Sequence, residues 1–278
     1  MNRPCPSPER AGSSSSSDIA RKPNFLIDSP STDPQACRPS YLDFSYPDIA
    51  SNLALDEALL WVAEEEDAGP VLRIWESPKF AVILGASGRL DEDVNVSLCE
   101  VDGVEVARRS SGGGTVVIGP GALNVAVVLS AELAPGLKAV DFAQLFVLEE
   151  IAKSIRAAGL NVRVQGSGDL TLEGRKFSGS AQRRLRRFFL VHASLLYDFP
   201  IERIVRYTRI PARQPPYREQ RSHESFLTNL PLCRKRLVQT VKSAWLCDES
   251  LKTAEIPRNC VMRLVAEKFG DPAWIQRL

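Results

Sequence analysis

The sequence predicts a single α+β domain over residues 40–278, a mixed and largely antiparallel sheet flanked by helices, behind a disordered N-terminal tail over residues 1–39. Three observations carry that prediction. Short apolar runs with strand character recur with turn residues between them: Val71 to Trp75, Phe80 to Leu84, Val125 to Leu129 and Phe188 to Leu196. Two longer segments, Asn52 to Ala63 and Phe142 to Ala158, carry apolar residues at helical spacing. The composition, 278 residues with 44% hydrophobic and 25% charged content, is that of a soluble globular chain able to bury a sizeable core.

Residues Met1 to Pro39 are rich in proline and serine, include the run Ser13 to Ser17 and show no apolar period, so burial cannot offset their ordering entropy. Folding is expected to begin near Tyr41. Asn52 to Ala63 forms a helix with Ser51 available as its cap, because Leu53, Leu55, Leu59, Leu60 and Val62 lie on a helical stripe. Val71 to Trp75 and Phe80 to Leu84 read as a pair of strands joined by a Glu76-Ser77-Pro78-Lys79 turn. The alternation of Val101, Val104 and Val106 precedes the stretch Arg108 to Asn124, read RRSSGGGTVVIGPGALN, which leads into a further strand at Val125.

Phe142 to Ala158 then gives a long amphipathic helix stopped by Gly159. Strands follow at Asn161 to Val164 and from Leu170, with turns at Gly166-Ser167-Gly168-Asp169 and Glu173-Gly174. The dense stretch Arg175 to Gln182 (RKFSGSAQ) precedes the strand Phe188 to Leu196, and the two glycine-bearing turns, each beside basic residues, are expected to belong to one sheet. Beyond Phe199 come short helices at Ile201 to Arg206, Leu237 to Trp245 and Pro257 to Lys268, a proline-rich exposed stretch at Pro211 to Glu219, and Trp274-Ile275 packing back on the body.

Several function classes are disfavoured at this stage. Lys and Arg number 35 against 34 Asp and Glu, so the net charge of +1 carries no overall footprint of a nucleic-acid binder. Six cysteines are scattered without a Cys-x-x-Cys pair, which is neither a zinc pattern nor a disulfide framework and fits a reducing cytoplasm. No apolar run approaches the roughly 18 residues of a membrane span, and the N-terminus lacks a signal-peptide core. With only His192 and His223 present, a histidine-rich metal centre is excluded and a serine triad could use no other base.

Arg108 to Asn124 holds neither a P-loop nor a dinucleotide fingerprint, since its glycines lie between strands. Gly112, Gly113 and Gly114 let a ligand approach the backbone amides, and Arg108 and Arg109 offer charge for a carboxylate or phosphate; the plainer reading is a hairpin turn with arginines at its rim. Lys176 follows a tight turn and precedes the small residues Ser178 to Ala181, which would clear space for a ligand oxygen beside its ammonium, unless Arg175 and Lys176 merely decorate a hairpin. The basic segment Arg183 to Arg187 admits phosphate contact, a solvated loop or docking of an acidic protein surface.

The two stretches together resemble the catalytic domain of the lipoate–protein ligase family, in the wider group that includes biotin ligases and octanoyl transferases. Arg109-x-Ser111-Gly112-Gly113-Gly114-Thr115-Val116 is similar to its Arg-x-Ser-Gly-Gly-Gly-Ala/Thr-Val segment. Gly168-Asp169-Leu170 through Gly174-Arg175-Lys176-x-Ser178-Gly179-Ser180-Ala181-Gln182, with His192-x-Ser194-Leu195-Leu196 after it, resembles the Asn-Asp-Leu and Gly-Arg-Lys-x-Ser-Gly-Ser-Ala pattern. The helix beginning Asn52-Leu53-Ala54-Leu55-Asp56-Glu57-Ala58 matches as well, so the likeness runs from about Tyr41 to the C-terminus.

That resemblance implies a biotin/lipoate ligase-like fold and an enzyme that activates lipoate or octanoate with ATP and passes the acyl group to a lysine of a lipoyl carrier domain or glycine cleavage H-like protein. Lys176 would be the central catalytic lysine. Ligand contacts would come from Arg109, Ser111, Gly112, Gly113, Gly114, Thr115, Val116, Val117 and Asn124, and from Asp169, Ser178, Gly179, Ala181 and His192. Asp169 would help position the nucleotide and its magnesium ion. Alternatives are a transferase using a thioester donor and a lipoyl-binding protein without turnover.

Three departures accompany the likeness. Val117-Ile118 stands where many relatives have a histidine. Gly119-Pro120-Gly121-x-Leu123 resembles the His-Gly-Pro-Gly-x-Leu of octanoyl transferases without its histidine, and neither Val162 to Asp169 nor the segment after Lys176 supplies the cysteine those enzymes acylate. Too few residues follow Cys247 for the small C-terminal domain of the larger bacterial ligases, so an accessory protein is expected in its place.

Overall fold

In the computed structural model, which describes residues 38–277 apart from 212, 248–249 and 253–254, seven strands form the main sheet. Most of the predicted N-terminal tail lies outside the described residues. β1 (Ser40–Asp43) runs parallel to β2 (Val71–Trp75). From β2 onward every neighbour is antiparallel, through β6 (Ala122–Ser130), β10 (Phe188–Leu196), β9 (Arg175–Arg184), β8 (Asp169–Leu172) and β7 (Val162–Gln165). A second sheet sets β3 (Ala81–Leu84) between β4 (Glu105–Arg108), parallel, and β5 (Val116–Ile118), antiparallel. The predicted α+β class, mixed and largely antiparallel, is the one observed.

Strand period divides the main sheet into two faces. Leu123, Val125, Val127 and Leu129 of β6 and Phe189, Val191, Ala193 and Leu195 of β10 pack on one side with α4 (Val140–Ala157) and α7 (Arg234–Ala244). On the other side, Ala126, Val128, Phe188 and Leu190 lie under α1 (Ile49–Glu66).

The helix α1 departs from its predicted stripe. Every residue from Asn52 to Leu60 is buried, because the helix is held between the main sheet and α8 (Arg258–Leu264), with Phe269 also packed against it. Its cap is Asp48, whose carboxylate accepts from the Ser51 amide at 2.7 Å, so Ser51 is the third helical residue and not the cap. Two buried acids on this helix are paired: Asp56 with Arg73 of β2, and Glu57 with Lys268 at 2.7 Å. Arg73 has no exposure and also donates to the backbone carbonyl and the side-chain oxygen of Asn52 and to the Phe44 carbonyl.

Other expectations are corrected by pairing. β2 and β3 are joined by the predicted turn but enter different sheets, so they are not a hairpin. Two helices, α2 (Leu90–Asp93) and α3 (Val96–Asp102), replace the start of the expected valine alternation; Val101 is a solvent-facing helix residue, and α3 stops at Gly103 with φ +63°. The glycine loop connects β4 to β5 in the small sheet, whereas the Gly166–Gly168 and Gly174 turns belong to the large one; the two do not share a sheet. In the basic segment, Arg184 donates to the Leu137 carbonyl at 2.7 Å and Arg187 pairs with Glu64 and Asp67, so half of its arginines are tied to the body.

Removing the Asp56 carboxylate should be costly, because Arg73 would be left charged in the core. Asp56→Ala is expected to lose about 3–5 kcal/mol in urea denaturation, the range for breaking a buried pair at one partner. A loss below about 1 kcal/mol would mean that Arg73 is adequately satisfied by backbone carbonyls alone.

Candidate active site

Register builds the floor of the site. In an antiparallel ladder directly opposed residues project from the same face. One rung reads Asp169 on β8, Gly179 on β9, Ser194 on β10, Asn124 on β6 and Trp75 on β2. The next reads Ala181, His192, Ala126 and Arg73. Small residues at the centre of both rungs leave room above the sheet, at the end that α1 does not cover.

Lys176 reaches this face through a β-bulge. Thr171 pairs with Lys176 while Leu170 pairs with Ser178, so β9 carries one extra residue and Lys176 is turned to the side of Gly179. Its ammonium lies 2.7 Å from Asp169 Oδ1 and crosses directly over Gly179, where a Cβ would sit 2.9 Å from Nζ. Glycine is what lets the lysine lie across the strand. The other Asp169 oxygen accepts from the Tyr217 hydroxyl at 2.6 Å; burial, then the Asp169 charge, push that phenol's pKa up, so it stays a donor. Asn124 accepts from Ser194 Oγ at 2.6 Å, while its buried Nδ2 has no partner, leaving one donor at the floor.

The roof is the glycine loop. Arg109 is only 7% exposed and is wrapped by its own loop: Nε donates to Ser111 Oγ at 3.0 Å, Nη1 to the Ile83 carbonyl at 3.3 Å, and Nη2 to the carbonyls of Gly112 at 2.6 Å and Gly114 at 2.8 Å. In a planar peptide the N–H opposes the C=O. The amides of Gly113 and Thr115 therefore point away from the guanidinium, and among the described residues neither has an acceptor. Outward amides beside a buried cation form an anion cradle. Burial pulls the Arg109 pKa down to about 10, which leaves it a cation at neutral pH.

The two arginines thus differ from their expected role. Arg108, with no exposure, donates to the carbonyls of Gly85, Gly88 and Ile275, and Arg109 to the loop. Their charge is spent on backbone carbonyls because a buried guanidinium without acceptors would be too costly. The Arg108 carbonyl in turn accepts from Trp274 Nε1 at 2.9 Å, which is how the C-terminal helix α9 (Pro272–Gln276) packs back as expected.

Roof and floor meet at Ser111. Its hydroxyl lies 2.6 Å from His192 Nε2, and His192 Nδ1 lies 3.8 Å from Asp56 Oδ2. The remaining sequence-derived candidates spread out. Gly113 sits over Ala181, Thr115 donates to Asp93 at 3.0 Å, and Val116 and Val117 belong to β5, with Val117 buried beside Val82 and Leu84 in the core. Ser178 opposes Leu170 and Leu195 and so faces the other side of the sheet. Sequence reasoning missed Tyr217, Asp56 and Arg73. Tyr217 lay in a stretch read as exposed, while Asp56 and Arg73 were polar residues inside an apolar helix and strand, a pattern that itself signals a buried pair.

A lysine–carboxylate pair on a floor of small residues, beside a loop with outward-facing amides, has the charge and the donors to accept an anionic group. The model of the lipoyl protein ligase A/B catalytic domain matches residues 48–248, and the chain belongs to that family. A candidate lipoate-protein ligase A of Aeropyrum pernix is 32% identical over 207 residues, covering 73% of this chain and 74% of that one. Octanoyltransferase LipM of Carboxydothermus hydrogenoformans is 26% identical over 266 residues, covering 82% and 94%. In fold, the chain is similar to lipoate-protein ligase A bound with ATP (TM-score 0.75, 19% identity, 87% and 100% covered). It is similar also to a chain from the structural analysis of a bi-partite lipoate protein ligase and its E2 lipoyl domain from Thermoplasma acidophilum (TM-score 0.71, 20% identity, 86% and 96% covered).

Gly85 offers a test of the roof. A Cβ there would lie 2.0 Å from the Gly113 carbonyl oxygen, backbone that cannot yield without moving the loop. Gly85→Ala is expected to weaken lipoate binding at least about tenfold, a loss of about 1.4 kcal/mol, while leaving the far-ultraviolet circular dichroism unchanged. Unaltered affinity in calorimetry would show that the loop conformation is not what binds the ligand.

Proposed function

We propose that the chain is a lipoate–protein ligase, which condenses lipoate or octanoate with ATP to an acyl-adenylate and passes the acyl group to the ε-amine of a lysine on a lipoyl carrier domain. The observation that carries this reading is the Lys176–Asp169 pair lying across Gly179, with the Gly113 backbone over neighbouring Ala181 and the amides of Gly113 and Thr115 left without acceptors among the described residues. Adenylate formation brings an acyl carboxylate against an α-phosphate, two anions that repel. An ammonium held from one side and amides preorganised on the other offset that charge as the carboxylate oxygen bonds the α-phosphorus, the α–β phosphoanhydride breaks and pyrophosphate leaves. Carrier attack then makes the amide bond and releases AMP, and the site contributes mainly by holding the two reactants together.

Among the described residues no group of three metal-ligating side chains forms a cage. Magnesium, which is commonly held by one or two carboxylates together with substrate phosphates, would come with ATP, and Asp169 is the carboxylate at hand. Carrier recognition is proposed for an E2-type lipoyl domain or a glycine cleavage H-like protein, and a separate accessory protein would complete activation, in the manner of a bi-partite ligase.

The octanoyltransferase relative favours a second reading, transfer from a thioester donor. Acyl-cysteine catalysis needs a thiolate within reach of the carbonyl. Of the described cysteines, Cys99 is buried in α3, Cys260 lies on α8, and Cys233 and Cys247 flank α7; none is on the floor or in the glycine loop. We therefore favour the ligase.

Lys176→Ala should slow transfer to a lipoyl domain by over a hundredfold, since one lost electrostatic contact of about 3 kcal/mol has that effect on rate. Wild-type protein that binds lipoate yet labels no carrier would leave a binding module in place of an enzyme. The ligase should also exchange labelled pyrophosphate into ATP in a lipoate-dependent manner, with an accessory protein added where needed, and should survive alkylation of its accessible cysteines. Labelling of the acceptor from octanoyl carrier protein without ATP, abolished by alkylation, would establish the transferase instead.

A further inference from the structure

Asp56 of α1 and Arg73 of β2 are buried at the far end of the floor and play no part in the reading above. They begin a continuous string. Arg73 pairs with Asp56, which also accepts from Trp75 Nε1 at 3.3 Å; Asp56 faces His192 Nδ1 at 3.8 Å; His192 Nε2 meets Ser111 Oγ at 2.6 Å; and Ser111 accepts from Arg109 Nε at 3.0 Å. The two ends select the same tautomer. Because Arg109 donates to the serine oxygen, the serine proton is free to go to Nε2, and the Asp56 carboxylate favours a proton on Nδ1.

Serine, histidine and aspartate in this order have the form of a nucleophilic triad, but Ser111 is 1% exposed and its oxygen is engaged at both ends. An acyl carbonyl does not reach it. We propose that His192, backed by Asp56, is a positioning residue that locks Ser111 and Arg109 and thereby turns the amides of Gly113 and Thr115 toward the ligand carboxylate or phosphate. This rests on the reading that those amides hold the anion. Arg109 is the link, since the same guanidinium that donates to Ser111 holds the carbonyls of Gly112 and Gly114.

The test uses the full chain, in which His192 and His223 are the only histidines, so imidazole nitrogen signals can be assigned by comparison with His192→Gln. Nitrogen-15 spectra at neutral pH should show His192 protonated at Nδ1 and bare at Nε2, with a protected Arg109 Nε–H that is lost in Ser111→Ala. In lipoate-dependent pyrophosphate exchange, Ser111→Ala and His192→Leu should each raise the lipoate KM about tenfold or more. Their double variant should be no worse than the poorer single, the non-additivity of residues acting in one string. His192→Gln, whose amide oxygen can still accept from Ser111, should stay within about threefold of wild type. An Nε2–H tautomer, single effects that multiply in the double variant, or a His192→Gln as impaired as His192→Leu would each overturn the proposal. Should the wild type neither exchange pyrophosphate nor bind lipoate, the functional reading fails, while the tautomer and the Arg109 signal still decide whether the string exists.

Discussion

The site depends on the register of four antiparallel strands, β6, β10, β9 and β8. Opposed residues share a face, so a slip of one position would turn the small and polar residues of both rungs into the core and bring leucines and valines to the surface. The apolar residues that lock this register, Val125 and Val127 on β6 and Val191 and Ala193 on β10, point away from the ligand side and pack with α4. Specificity of pairing and shape of the floor are two consequences of one alternation. The single break in it, the bulge in β9, is the device that brings Lys176 to the ligand side.

In the proposed function, floor and roof divide the work of binding an anion. The floor contributes a point charge, Lys176, paired with Asp169 and lying where glycine removes the Cβ that would otherwise meet it. The roof contributes fixed dipoles. Its carbonyls are gathered onto Arg109, and the amides face outward as a result. The Arg109 guanidinium thus works through the backbone of its own loop, and its cationic charge still raises the local potential.

Support for the roof comes from distant segments. Gly85 allows backbone contact with Gly113, Arg108 gathers the carbonyls of the 85–88 loop and of Ile275, and Trp274 closes on the Arg108 carbonyl. The tertiary contacts that order the glycine loop and the strand leading into it therefore come from the 85–88 loop, β10 and the C-terminal helix, segments far apart in sequence. A preorganised cradle of this kind spends its ordering entropy during folding and not on binding.

Much of this protein was legible in its sequence, because local chemistry decides local structure. Helical period located α1 and α4, β-branched runs located the strands, and glycine density marked the loop and the strand β9 that line the site. Residue type also pointed to Lys176, since a lysine ahead of Ser178, Gly179, Ser180 and Ala181 has space around it in any fold. Tertiary structure alone decided the rest. Whether β2 and β3 pair with each other or enter separate sheets depends on nonlocal partners, and so does the direction in which Arg108 and Arg109 spend their charge. The partnership of Asp56, His192 and Ser111 joins residues from a helix, a strand and a loop. Such pairings depend on burial and on register across the whole sheet, which a linear pattern of residue types does not encode.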